Sequence, residues 1–192
     1  MPPRFFFGAM SPYSWFAAER IGALLPDAVW RPVFAGGLFK ASERSSWGLD
    51  ERRAAGIADC EARARTHGLG PILWPDPWPT LDVLVARAML HAEREGRLEP
   101  FALAAMRLAF LEGGDLGQRA VVQEAGQRAG IDPGAVERAT QDEALKAESR
   151  ARVEEARVLG VFGVPTVVVG DELFWGDDQL EAAASAATRR RA

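Results

Sequence analysis

The chain has 192 residues, of which 48% are hydrophobic, so it is long enough and apolar enough to bury one good core. Its 23 basic and 27 acidic side chains give a net charge of −4, which provides no general attraction to the phosphates of nucleic acids. No apolar run approaches the ~18 residues that a membrane-spanning helix needs, so neither nucleic acid nor a membrane is an expected partner.

The first predicted elements are a strand over residues 4–7 and a helix that runs from Pro12 to Leu25. Ser11 is suited to the N-cap position, and Pro12 suits the first helical position because its fixed φ matches the helix. The Ser11 hydroxyl is therefore expected at a helix N-terminus, where free N–H groups and the helix dipole favour an anion. Such a position can hold a thiolate.

A second strand is predicted over residues 29–33, which completes a β-α-β unit. Because a helix crosses between them, the two strands should be parallel neighbours. Gly36 and Gly37 interrupt the pattern after this strand. An irregular segment is therefore expected from residue 38, and it continues as a polar loop to residue 49.

Helical patterns fill the chain from residue 50 to about residue 160. The helices are predicted near residues 50–67, 80–95, 100–111, 118–129, 133–140 and 142–159. A proline-rich connection over 70–79 follows the first of them, and Thr80 is predicted to cap the next. No strand-like run occurs among these helices, so we predict an inserted all-helical domain over residues 45–150.

Strand character returns at residues 166–169 and 172–175, which a Gly-Asp turn joins into a hairpin. A last helix is predicted near residues 178–188. The predicted fold is therefore α/β: a thioredoxin-like fold with an inserted all-helical domain. Residues 1–44 and 151–192 would form the thioredoxin-like domain, which is discontinuous in sequence.

The single cysteine, Cys60, excludes an intramolecular disulfide and a four-cysteine zinc site. We interpret it as a small buried hydrophobe, because it lies in the middle of a helix without a motif around it. This cysteine usage and the lack of a signal-peptide pattern predict a reduced, cytoplasmic setting. No metal site is expected, because His67 and His91 lack partners at ligand spacing.

Five short motifs together resemble one group of proteins, the DsbA-like 2-hydroxychromene-2-carboxylate isomerases and the related kappa-class glutathione transferases. The resemblance covers nearly the whole chain, and the motifs occur in order: Ser11–Ser14, Trp30–Val33, Gly36–Lys40, Gly160–Thr166 and Leu173–Asp178. It implies glutathione, or another low-molecular-weight thiol, as the cofactor. It also implies a small aromatic substrate and a possible homodimer.

The same resemblance implies roles for residues at two of these motifs. The Ser11 hydroxyl would donate to the thiol sulfur and lower the thiol pKa. Dithiol exchange is excluded at Ser11–Ser14, because both cysteines of the DsbA-type Cys-x-x-Cys are serines here. A cis bond between Val164 and Pro165 would present the Val164 backbone to the cysteinyl part of glutathione. The alternatives are a Ser11 that only caps its helix and a trans proline that begins a strand.

Further thiol-binding residues are implied with less direct matches. Asp177 or Asp178 would accept hydrogen bonds from the γ-glutamyl ammonium, unless these residues only cap the last helix. Arg53 stands where relatives carry a lysine that holds a glutathione carboxylate, and Lys40 belongs to the Gly-Gly motif of the same segment. Arg44 departs from the pattern, since kappa relatives have an asparagine there.

These residues predict a glutathione-dependent isomerase that acts by reversible addition of a thiolate to an activated double bond of an aromatic substrate. The alternatives are a kappa-like transferase that conjugates electrophiles, and a non-catalytic member of the fold that binds a thiol or peptide. Isomerase relatives commonly carry an asparagine near Thr80 that this chain lacks, which bears on hydroxychromene recognition. Three tryptophans, Trp47, Trp74 and Trp78, either roof an aromatic pocket or pack together.

Overall fold

The computed structural model describes residues 1–191, and its four strands form one mixed sheet in the order β2-β1-β3-β4. The strands are β1 (Arg4–Phe7), β2 (Val29–Pro32), β3 (Thr166–Val169) and β4 (Glu172–Trp175). As predicted, β1 and β2 are parallel and β3 and β4 form an antiparallel hairpin, while β1 also pairs antiparallel with β3. Residue 192, which the predicted domain 151–192 includes, lies outside the described residues.

Nine α-helices occur in residues 1–191, and seven of them lie between the two strand pairs. They are α1 (Pro12–Leu24), α2 (Ala35–Ala41), α3 (Arg53–Thr66), α4 (Val83–Arg94), α5 (Leu98–Glu112), α6 (Arg119–Arg128), α7 (Pro133–Gln141), α8 (Glu143–Val158) and α9 (Leu180–Arg189). Over these described residues the stretch between β2 and β3 contains no strand, as predicted. The domain boundaries near residues 45 and 150 stay predictions.

Helix α2 lies where an irregular segment was expected, so that prediction is wrong. Its two glycines make room for a ring, because a Cβ at Gly37 would lie 2.8 Å from the side chain of Phe34. The N-terminus of α2 has no local side-chain cap. Instead, the Asp82 carboxylate, distant in sequence, accepts a hydrogen bond from the Ala35 N–H at 3.3 Å. A tertiary contact therefore stabilises the start of a helix whose own sequence provides no N-cap side chain.

The predicted cap of the next helix is also wrong. Helix α4 begins at Val83 with Asp82 at the N-cap position, and the Thr80 hydroxyl lies against the Met10 sulfur at 3.9 Å instead. Asp82 makes no side-chain cap in its own helix, because its carboxylate is turned toward α2. The end of the proline-rich connection is thereby fastened to the residues that precede α1.

The core is shared between the sheet and the helices that lie between its halves. Trp15 of α1 stacks on Phe110 of α5 with ring centroids 5.6 Å apart, and both side chains are fully buried. Helix α5 is buried along most of its length, as its apolar sequence predicts. The largest apolar cluster contains Phe5 from β1 as well as Phe101 from α5. Helices and sheet therefore depend on one another for burial.

Two glycines in helices predict opposite stability changes on substitution by alanine. A Cβ at Gly56 in α3 would lie 2.2 Å from the ring of Trp47, whereas a Cβ at Gly22 in α1 meets nothing within 4 Å. Gly56→Ala should lower the free energy of unfolding by about 1–3 kcal/mol through overpacking. Gly22→Ala should raise it by about 0.5–1 kcal/mol because alanine is the better helix former. Urea denaturation measures both, and a stabilised Gly56→Ala variant would contradict the first expectation.

Candidate functional site

Ser11 caps the N-terminus of α1, as predicted. Its backbone is extended, and its Oγ accepts a hydrogen bond from the Ser14 N–H at 3.2 Å. That bond occupies a lone pair of the oxygen, so the hydroxyl can still donate its own proton. The acceptor for that proton is the Val164 carbonyl oxygen at 3.5 Å, the outer limit of a hydrogen bond. The cap therefore fixes the oxygen while the proton stays available to a stronger acceptor.

The peptide bond between Val164 and Pro165 is cis, as predicted, and it faces the start of α1. The Pro165 carbonyl accepts a hydrogen bond from the Gly176 N–H at 3.0 Å, which ties this loop to the end of β4. Within residues 1–191 the Val164 N–H donates no hydrogen bond. A backbone donor without a partner, beside the Ser11 hydroxyl, is an edge that a peptide-like ligand can pair with.

The fourth residue of the Ser11–Ser14 motif is closed off from solvent. Ser14 is fully buried, and its Oγ accepts a hydrogen bond from the Gly8 N–H at 3.3 Å. Gly8 itself is tightly enclosed, since a Cβ there would lie 3.1 Å from the Ala35 Cβ and 3.5 Å from a Val164 methyl. The end of β1, the start of α2 and the cis loop thus meet here, and of the two serines Ser11 is the reachable one.

The two aspartates of the turn after β4 have different surroundings. Asp177 is 1% exposed, and its carboxylate contacts Arg63 Nη1 at 2.8 Å and His67 Nε2 at 3.4 Å. Burial raises the pKa of the Asp177 carboxyl, although the nearby Arg63 charge acts to lower it. Asp178 is exposed. Thiol binding by either stays a prediction, but only the Asp178 carboxylate lies open to a ligand.

Arg63 and His67 are site-supporting residues that the sequence did not reveal. They lie on and just after α3, more than 100 residues from Asp177 in the chain. The guanidinium of Arg63 also lies over the ring of Tyr13, at 5.3 Å from its centroid. No local pattern predicts such pairs, because the contacts depend on how α3 packs against α1 and the turn.

The two basic residues predicted to bind the thiol lie apart from Ser11 in the hydrogen-bond network. Arg53 Nη1 donates to the carbonyl of Gly48 at 3.0 Å and to the carbonyl of Trp78. It thereby joins a 3₁₀ turn (Trp47–Leu49) to the proline-rich connection. Lys40 is exposed in the last turn of α2. A carboxylate-binding role for either residue stays a prediction.

The three tryptophans of the loops pack on one another. Ring centroids lie 4.9 Å apart for Trp47 and Trp78, and 4.7 Å apart for Trp74 and Trp78. Trp78 is only 5% exposed. The Tyr13 ring touches this group through Trp47, at 6.3 Å between centroids. Mutual packing, one of the two predicted alternatives, accounts for their positions.

Cys60 is buried, as predicted, and burial raises the pKa of its thiol to about 12. It therefore stays protonated at neutral pH. Across residues 1–191, no three histidine, cysteine or acidic side chains gather in a way that could hold a metal ion. In the same stretch, each helix is too short or too polar to cross a lipid bilayer.

The buried Asp82 carboxyl predicts an unusual pH dependence of stability. Burial raises its pKa to about 6, from an ordinary value of 3.8. The native state then binds more protons than the unfolded state between these values, so this group's contribution to stability falls as pH rises from about 4 to 6. Asp82→Asn keeps an oxygen acceptor for the Ala35 N–H and removes the titration.

We expect the free energy of unfolding of the wild type, minus that of Asp82→Asn, to fall by about 2 kcal/mol between pH 4 and 7. Urea denaturation at several pH values measures this difference. Asp171→Asn, at an exposed position of the hairpin turn, is the control. A difference that does not change with pH would show that Asp82 titrates normally.

Comparisons with known proteins identify the family and the fold. The sequence model of a family described as the DSBA-like thioredoxin domain matches residues 4–187. A 2-hydroxychromene-2-carboxylate isomerase from Sphingobium xenophagum is 26% identical over 190 residues, which cover 92% of this chain and 93% of that protein. The resemblance predicted from the motifs is thereby confirmed.

Two solved structures show the same architecture. A 2-hydroxychromene-2-carboxylate isomerase superposes with a TM-score of 0.84 at 22% identity, covering 100% of this chain and 96% of that one. The cytosolic disulfide reductase DsbM from Pseudomonas aeruginosa, solved with GSH, superposes with a TM-score of 0.68 at 15% identity, covering 100% and 98%. The predicted thioredoxin-like α/β fold is therefore confirmed.

Proposed function

Because the chain belongs to the DSBA-like thioredoxin family, we propose that it is a thiol-dependent isomerase of the 2-hydroxychromene-2-carboxylate isomerase type. Its cofactor would be glutathione or another low-molecular-weight thiol. One observation carries the proposal: a serine hydroxyl, fixed at the N-terminus of α1, faces a cis Val164–Pro165 peptide whose Val164 N–H has no partner within residues 1–191.

The Ser11 hydroxyl suits a thiolate that arrives with a ligand. Its oxygen is held by the Ser14 N–H, so its proton can turn from the distant Val164 carbonyl to a sulfur anion. A hydrogen bond to the charged form and the positive end of the helix dipole both favour thiolate over thiol. Residues 11–14 contain no cysteine, so the sulfur has to come from the cofactor.

The backbone of Val164 would hold the peptide part of the cofactor. Its N–H would donate to a cofactor carbonyl in the way that a sheet edge pairs with an added strand. The Val164 carbonyl would accept a cofactor N–H once the Ser11 hydroxyl has turned to the sulfur. Asp178, exposed in the turn that Gly176 ties to Pro165, would accept hydrogen bonds from a γ-glutamyl ammonium.

The proposed reaction is an addition and its reversal. The thiolate sulfur forms a bond to the β-carbon of an activated double bond, and the conjugated carbonyl takes up the electron pair as an enolate. The former double bond is now single and rotates. The enolate then re-forms the double bond and expels the thiolate, so no atom or electron is gained or lost. Ser11 stabilises the sulfur anion before addition and after expulsion.

Two alternatives use the same residues. A kappa-like transferase would conjugate an electrophile whose adduct does not collapse, and a non-catalytic family member would bind a thiol without turnover. The isomerase is favoured because the curated relative of that activity matches almost the full length of this chain. A cytoplasmic location and a homodimer stay predictions.

Calorimetry and an absorbance assay test the proposed function together. The purified protein is titrated with glutathione, cysteine and S-methylglutathione, and is then assayed on 2-hydroxychromene-2-carboxylate with each of them. We expect binding of glutathione and of its S-methyl analogue, but turnover only with a free thiol. Turnover that needs no thiol, or the absence of thiol binding, would overturn the proposal. Stable conjugates in place of an isomerised product would favour the transferase.

A further inference from the structure

Arg44 lies over two exposed aromatic rings. Its guanidinium carbon is 5.1 Å from the centroid of Phe162 and 5.0 Å from that of Trp175. The two rings lie 4.9 Å apart, and they are 37% and 46% exposed. An exposed patch of contiguous apolar side chains can mark a surface that binds a ligand or partner. These two rings support the face of one cation.

This group of three side chains, Arg44, Phe162 and Trp175, borders the site described above. The indole of Trp175 covers Gly163, where a Cβ would lie 2.7 Å from the indole nitrogen. Gly163 directly precedes Val164, and Trp175 directly precedes Gly176, whose N–H binds the Pro165 carbonyl. The rings therefore flank the cis peptide that faces Ser11.

The backbone places Arg44 at this position. Helix α2 ends at Ala41, and Glu43 then adopts a left-handed conformation with φ of 53°. The Arg44 N–H donates to the Phe39 carbonyl at 2.9 Å, which closes the helix end. Backbone hydrogen bonding at the end of α2 thus fixes the position of the Arg44 backbone.

Arg44 makes no ion pair or side-chain hydrogen bond with any residue of 1–191, whereas Arg63 and Arg152 contact carboxylates. Stacking on aromatic rings uses the face of a guanidinium and leaves the N–H donors in its plane. Those donors match the two oxygens of a carboxylate. Arg44 therefore has N–H donors that can bind the carboxylate of a ligand.

We propose that Arg44 binds a ligand carboxylate next to Ser11 and the Val164 edge. The carboxylate belongs either to an aromatic substrate or to the thiol cofactor. The identity of these ligands rests on the proposed function. The binding itself rests on the geometry of Arg44, Phe162 and Trp175.

Calorimetric titration with three probes tests the proposal. The probes are trans-cinnamate, its neutral amide cinnamamide, and glutathione. They are titrated into the wild type, Arg44→Gln, Arg44→Lys and the control Arg150→Gln, which removes an exposed charge from α8. Arg44→Gln should weaken one carboxylate probe at least about tenfold and leave cinnamamide unchanged. Arg44→Lys keeps the charge but loses the paired donors, so its affinity for that carboxylate probe should lie between those of the wild type and Arg44→Gln. Arg150→Gln should match the wild type.

The pattern of losses identifies the source of the carboxylate. A loss confined to cinnamate assigns it to the substrate, and a loss confined to glutathione assigns it to the cofactor. Equal affinities of the wild type and Arg44→Gln for both carboxylates overturn the proposal, as does an equal loss for cinnamamide. Cinnamate binding that depends on Arg44, in a protein without thiol-dependent turnover, would refute the isomerase and leave this inference standing. Thermal melts of each variant confirm folding.

Discussion

Ser11→Ala is expected to slow the thiolate-dependent reaction about 10- to 150-fold. Removal of one hydrogen bond to a charged acceptor should cost about 1.5–3 kcal/mol of thiolate stabilisation. The pKa of the bound thiol should rise with it. Affinity for the cofactor should fall far less than the rate, because the contacts proposed for Val164 and Asp178 can still form when this hydroxyl is removed. Steady-state kinetics and an ultraviolet titration of the bound thiolate measure these effects.

The cap bond of Ser11 calls for a second variant, because alanine removes the cap as well as the proton donor. Loss of an N-cap alone lowers the free energy of unfolding by about 0.5–2 kcal/mol. Ser11→Asp retains an oxygen acceptor for the Ser14 N–H but offers no proton at neutral pH. We expect this variant to keep the fold stability and to lose more of the rate than Ser11→Ala, because its carboxylate also repels the thiolate. An unchanged thiol titration in Ser11→Ala would show that Ser11 is only a cap.

Arg63→Met is expected to lower the free energy of unfolding by about 3 kcal/mol at pH 7. Asp177 is 1% exposed and its carboxylate contacts Arg63 at 2.8 Å, so the variant leaves a buried carboxylate with only His67 beside it. The pKa of Asp177, already raised by burial, should rise further. The loss should therefore be smaller at pH 4 than at pH 8, because protonation of a carboxyl with a raised pKa removes the unpaired charge.

Two further variants define the cause of that loss. Arg65→Met changes an exposed arginine of the same helix and should alter stability by less than about 0.5 kcal/mol. The double variant Arg63→Met with Asp177→Asn removes both charges and should recover much of the stability. Denaturation curves at the two pH values measure all of these. A double variant no more stable than Arg63→Met would mean that the packing of Arg63, including its contact with Tyr13, matters more than its charge.

Most strands and helices of this fold could be predicted because their signals are local. The aromatic run of β1 and the β-branched run of β3 have the predicted bounds, and the start of α1 follows from Ser11 and Pro12. The parallel pairing of β1 with β2 follows from the crossover helix between them. The cis bond at Pro165 came from the family resemblance, since no local pattern specifies it.

The features that could not be predicted depend on contacts between distant residues. Helix α2 contains two glycines and lacks its own cap, and it is supported by Asp82 from the far side of the proline-rich connection. The family resemblance implied Asp177 or Asp178 as a ligand of the thiol cofactor. Only the packing of α3 shows that the Asp177 carboxylate is already engaged by Arg63. Arg44 appeared as a departure from a family pattern, and its aromatic support became visible only in the structure.

The stacking of Trp15 on Phe110 has a consequence for how ligand binding can be detected. The first of these rings is in the helix that Ser11 begins, and the second is in the last turn of α5, which is buried along most of its length. A cofactor that binds only the folded protein raises the free energy of unfolding by RT ln(1 + [L]/Kd), for all of the structure that unfolds together with its site. Because the core is shared, that cooperative unit extends from the sheet into the central helices. The midpoint of one thermal unfolding transition should therefore report occupancy at Ser11, including for ligands that are never turned over.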